Sequence, residues 1–169
     1  STTGCGNIAI GNIAMGGADT TGNHNLAMGQ QVLDALTSGA CNIALGYQAL
    51  SASATADQNI AIGFTAMGTG VVTGRDNIAM GVNAMQDTTS GVCNIAIGPN
   101  AAANLTTGRH NIAFGDAPLS GAATTGCHNI AMGQNSVDAV TDGNDNIGMG
   151  RVSGGAITTG YENVAIGYS

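Results

Sequence analysis

One string, Asn–Φ–Ala–Φ–Gly with Φ apolar, returns in ten units at near-constant spacing. Self-similarity of this kind constrains a fold more than any local preference does. The asparagines that head the units are Asn7, Asn25, Asn42, Asn59, Asn77, Asn94, Asn111, Asn129, Asn146 and Asn163. Their spacings run 18, 17, 17 three times over, so a 17–18-residue unit is nested in a 52-residue superunit. The units cover essentially all of residues 1–169, which makes a single repeat domain with no internal boundary. The chain begins inside a repeat, and the expectation is a segment of a longer fibre.

Each column of the unit carries a physical expectation. The two Φ positions, as in Ile8 and Ile10 or Ile112 and Phe114, share one face of a strand by its period of two. They are expected to point into a coil. The residue between them is Ala in nine units and Gly148 in the other. A column that small implies another backbone packed close on that side, so the strand is expected to be buried on both faces. The closing glycines, Gly11, Gly29, Gly46, Gly63, Gly81, Gly98, Gly115, Gly133, Gly150 and Gly167, suit a corner with positive φ or a close backbone approach. A weaker second strand is expected next, as in Tyr47–Leu50 or Phe64–Met67, and then a Thr-Gly turn such as Thr106-Thr107-Gly108. Identical Asn residues in successive coils can stack at ~4.8 Å as an amide ladder.

Other regular folds fail on the same columns. A glycine every few residues costs a helix about 1 kcal/mol each, and no long 3.6-residue stripe offsets it. Collagen needs Gly at every third position, and the calcium-binding nonapeptide repeat is missing. An all-β, parallel β-solenoid (a β-roll) remains. Its core must come from Ile, Met, Leu, Val and Ala, because Phe and Tyr number five and Trp is absent. The net charge of −7, with three Arg and no Lys, argues against nucleic acid, which requires phosphate-neutralising cations. No apolar run approaches the ~18 residues that span a bilayer, so membrane insertion is not expected.

The unit Asn42–Leu50, N-I-A-L-G-Y-Q-A-L, with TTG turns between copies, resembles the head repeats of trimeric autotransporter adhesins. It is also similar to repeats in the tail-fibre proteins of bacteriophages and related viruses. The resemblance implies a left-handed parallel β-roll, three chains packed about a common axis, and an extracellular, cell-surface or virion-surface fibre that attaches to a surface.

Two geometries satisfy the spacing. In one, each 17–18-residue unit is a coil and three chains fill a layer. In the other, a single three-lobed chain uses 52 residues per turn. The longer turn would stack Asp57 on Arg109, His110 on Glu162, and Asp76 between His24 and His128. The shorter turn sets Asp145 against Glu162, a like-charge pair that in-register stacking disfavours. The longer turn also brings Cys41 beside Cys93 within disulfide range, whereas three coils apart, at ~14 Å, the bond is impossible.

Chemistry-bearing residues are sparse. The cysteines Cys5, Cys41, Cys93 and Cys127 and the histidines His24, His110 and His128 all fall one or two positions before a repeat Asn. They read as turn residues, and no catalytic, cofactor-binding or metal-ligating residue is assigned, although His24, Asp76 and His128 would line one edge in the 52-residue geometry. Tyr47, Phe64 and Tyr168 follow motif glycines, where an aromatic could stack on a sugar or simply pack at the coil edge. The leading expectation is a non-enzymatic structural fibre or adhesin shaft whose partner is itself, as a trimer or a head-to-tail filament. A glycan- or receptor-binding fibre segment is the alternative. An ice-binding solenoid comes third, because the threonines fall in adjacent pairs and build no flat Thr-x-Thr face.

Overall fold

The computed structural model describes residues 3–17 and 19–168. It holds ten three-residue strands, β1 (Ile8–Ile10), β2 (Leu26–Met28), β3 (Ile43–Leu45), β4 (Ile60–Ile62), β5 (Ile78–Met80), β6 (Ile95–Ile97), β7 (Ile112–Phe114), β8 (Ile130–Met132), β9 (Ile147–Met149) and β10 (Val164–Ile166). All ten lie in one parallel sheet in chain order, so each strand pairs only with its sequence neighbours. Ile43 pairs with Ile60, Ala44 with Ala61 and Leu45 with Ile62, an offset of 17. Ile60 pairs with Ile78 at an offset of 18. The chain is therefore a β-solenoid in which every unit is one coil. The 52-residue turn is overturned, and the eighteenth residue of every third unit is absorbed within its own coil.

The like-charge objection to the short coil fails for a physical reason. Asp145 and Glu162 do occupy successive coils, but both are exposed, where water screens them. Asp57 and Arg75, on adjacent coils, form a parallel bridge through their backbones.

The orientation of the strands reverses one expectation. The middle Ala points into the coil: Ala27, Ala44, Ala61, Ala79, Ala96, Ala113 and Ala131 are fully buried. The flanking Ile, Leu, Met and Phe side chains point outward. A coil of 17 residues is thin, and its far wall already supplies Val32, Leu33 and Leu36, Leu50, Met67, Met85, Leu105 and Leu119 to the core. An alanine is all that the near wall can add. At Gly148 a Cβ would press on Val137 Cγ2 and lie 2.6 Å from Ser136 Oγ, so this coil has no room for a methyl group.

The expected second strand is instead a run of alternating left-handed residues. Gln48 and Leu50 have φ of 52°, Thr65 and Met67 of 49° and 50°. Each run still ties coils together: Gln48 N donates to Gln30 O of the preceding coil at 3.0 Å, and Leu50 N to Ala66 O of the following coil at 3.0 Å. The string Asn12–Gly16 repeats the strand motif letter for letter. It lies on this second wall, with Ile13 and Met15 at φ of 59° and 51°, so position in the coil outranks local sequence. The Thr turn closes the coil, Thr37 Oγ1 donating to Ala54 O at 3.0 Å.

At the corner after the strand, the motif glycines have φ between 121° and 143°, a region that side chains other than Gly rarely adopt. A Cβ on Gly46 would strike the Gly63 carbonyl oxygen of the next coil. The corner demands Gly twice over, for φ and for space.

Candidate functional site

Three features run the length of the solenoid: a buried amide ladder, an exposed apolar sheet face, and an exposed polar corner. The ladder is built on the repeat asparagines. Asn94 donates from its backbone N and from Nδ2 to Asn77 Oδ1, each at 3.0 Å. Its Nδ2 also donates to Gly108 O of the following coil at 2.8 Å. Asn42 repeats the arrangement with Asn25 Oδ1 at 2.9 and 3.0 Å and with Ala56 O. From Asn25 to Asn146 each amide thus spends both Nδ2 hydrogens and both Oδ1 lone pairs. From Asn25 to Asn146 these side chains are at most 1% exposed. Stacking was legible in the sequence, but the backbone donor and the Gly carbonyl acceptor were not, because both depend on how the corner turns. The ladder is structural: every polar atom is consumed, and none is left for a ligand.

The outward face of the sheet presents two apolar columns. Along it Ile43 is 37% exposed, Met80 38%, Ile112 37% and Phe114 51%. Ten strands at about 4.8 Å make this strip about 43 Å long, and two side-chain columns make it on the order of 500 Å². That is at the upper end of what a monomeric protein leaves in water, and such patches mark interaction surfaces.

The polar corner carries the residues that precede each Asn, held at φ of 56–59° from His24 through Glu162. The 17-residue turn separates the groups that a longer turn would have gathered. Asp76 stands three coils from His24 and three from His128, and Cys41 stands three coils from Cys93. At about 14 Å the Cys41–Cys93 disulfide cannot form, and all four cysteines are free thiols. What the short turn does bring together is His110 and His128, whose rings are parallel at 5.2 Å, with Asp145 one coil further on.

The aromatic residues do not make one platform. Tyr47 and Phe64 stack on each other at 5.0 Å and 14°, so each ring covers a face of the other. Tyr168 lies seven coils from Tyr47, and its ring receives Arg151 at 4.6 Å while its hydroxyl accepts from the same guanidinium at 2.8 Å. Two shallow hollows lie at the first and last coils, one bordered by Gly4, Ala9 and Met15, the other by Ser153, Val164 and Ile166. Among the described residues no three His, Cys, Asp or Glu side chains converge on a common point, and no helix is long and apolar enough to cross a membrane. No family model matches the chain, nor does any curated protein or solved structure.

Proposed function

We propose that this chain is a non-enzymatic structural segment of a surface fibre, and that it works as a homotrimer with its apolar sheet faces turned to a shared axis. The observation that carries the reading is the two-column face of Ile, Leu, Met and Phe along all ten strands. Its apolar side chains recur at every coil, so the surface that best matches it rung for rung is the same face of another copy in parallel register. Burial of one such side chain stabilises by about 1.5–3 kcal/mol relative to exposure, and the face offers about two per coil.

The resemblance to adhesin heads and viral tail fibres supports three copies, and with them a fibre on a cell or virion surface. Rigidity then follows from backbone hydrogen bonds and the Asn ladder running along one axis. Mutual stacking of Tyr47 and Phe64 takes one face of each ring from a bound sugar, and the Thr pairs lie in turns, away from the flat sheet that ice binding needs.

The test is a pair of charges on the face. Ile95→Asp with Ile112→Asp, followed by sedimentation velocity, is expected to release folded monomers from a trimer. An unchanged sedimentation coefficient for the variant, or a wild type that is already monomeric, overturns the proposal.

A further inference from the structure

Each strand ends in a corner on either side, and the charges at the two corners are ordered. Beside β7 the corner before the strand carries Arg109 and the corner after it Asp116; beside β9 the first carries Asp145 and the second Arg151. All four residues are exposed. In ten units, Asp116 and Arg151 are the only charges at the position that follows the motif Gly. Each has the opposite charge at the far end of its own strand.

Neither pair can close within one coil. The extended run between the partners, at about 3.3 Å per residue, holds them on the order of 15 Å apart. Other charges of the polar corner are used inside the chain: Asp57 Oδ1 accepts from Ala40 N at 2.7 Å, and Arg75 Nε lies 3.6 Å from Asp76 Oδ2. Arg109 has no such carboxylate among the described residues. Asp116 receives only a long contact from Gln134 Nε2 at 3.5 Å. Asp145 Oδ1 lies 3.6 Å from His128 Nδ1, which leaves its second oxygen for another donor. Arg151 gives one N–H to the Tyr168 hydroxyl and keeps its other donors.

We propose that Arg109 of each copy pairs with Asp116 of the next copy, and Asp145 with that copy's Arg151, so that the two pairs fix a parallel, unshifted register; this rests on the trimer argued above. Turning three sheet faces to one axis sets the strands of a layer head to tail. The corner before a strand in one copy then abuts the corner after the same strand in the next, and zero shift is the arrangement that closes the ring. Both pairs are attractive there. A shift of one coil keeps Arg151 opposite Glu162 but leaves Asp116 beside Cys127 and His128. A shift of two coils sets Arg151 against Arg109 in one direction and Asp116 against Asp145 in the other. An antiparallel partner would bring like corners together. Charge order of this kind selects among arrangements that the apolar columns, alike at every coil, cannot tell apart.

The test is charge reversal, read by sedimentation equilibrium over a concentration series in low-salt buffer. An exposed pair is worth little alone, but threefold symmetry repeats it three times. Arg109→Asp is expected to raise the concentration at which half the chains are trimeric by roughly tenfold, and Arg109→Asp with Asp116→Arg to recover most of that loss. Arg75→Gln should change it less than about twofold, since the facing residue is Val82. Added salt should shrink the difference between wild type and Arg109→Asp. Where dilution releases no monomer, the exchange rate between differently labelled copies replaces the midpoint, with the same order of variants expected. Circular dichroism verifies that each variant keeps the β-solenoid. A trimer indifferent to Arg109→Asp, or a double variant no better than the single, overturns the pairing and leaves the trimer standing. A wild type that is monomeric at every concentration overturns both.

Discussion

The two faces of the same strand have opposite characters. Inside, β6 presents Ala96, which is fully buried; outside, it presents Ile95, which is 36% exposed, together with Ile97. In a single sheet packed on its own core the large residues would be expected on the inside. The inversion shows that the coil interior is furnished from the opposite wall, by residues such as Leu105 and Met85, while the large residues of the strand face outward. Size, and not hydrophobicity alone, separates the two columns.

Substitutions can break or sharpen that contrast. The largest effect is expected where the two faces meet, at the corner. Gly98→Ala places a Cβ against the Gly115 carbonyl at a φ of 127°, and should cost about 4 kcal/mol, read as a lower midpoint in urea. Next comes Asn94→Ala, which strips buried partners from Asn77 Oδ1, Gly108 O and the backbone N of Asn111. With about 1–3 kcal/mol at stake for each orphaned group, a net loss of about 3 kcal/mol is expected by the same measurement.

On the inner face, Ala96→Leu should cost about 2 kcal/mol by overpacking, whereas on the outer face Ile95→Thr should change the stability of the dissociated chain by no more than about 0.5 kcal/mol. Equal costs for these two would erase the distinction between the faces. One interior change should stabilise: Thr88 Oγ1 is buried with no hydrogen-bond partner, so Thr88→Val should gain about 1 kcal/mol, visible as a higher Tm.

The sequence made the solenoid legible because the constraint repeats. Asn42, Gly46 and the Thr turn mean little once, but ten units in register leave few folds that satisfy them. Facing was not legible. Alternation says that Ile43 and Leu45 lie opposite Ala44, and it is silent on which side is the core. The usual rule that large apolar residues go inside fails in a coil only 17 residues round. Coil length was equally open, because offsets of 17 and of 52 both align the Asn column. Sparse charges then misled, since exposed Asp145 and Glu162 tolerate each other in water. The histidine pair went unseen for the same reason. Only the short turn makes His110 and His128 neighbours, and only the left-handed φ shared by that column makes their rings parallel.

The most direct test of the proposed trimer interface is the mass of the chain in solution, by light scattering across a concentration series. The account predicts a stable species of three times 16.5 kDa that persists on dilution. A monodisperse 16.5 kDa particle, with its Ile and Met columns in water at every concentration, would contradict it.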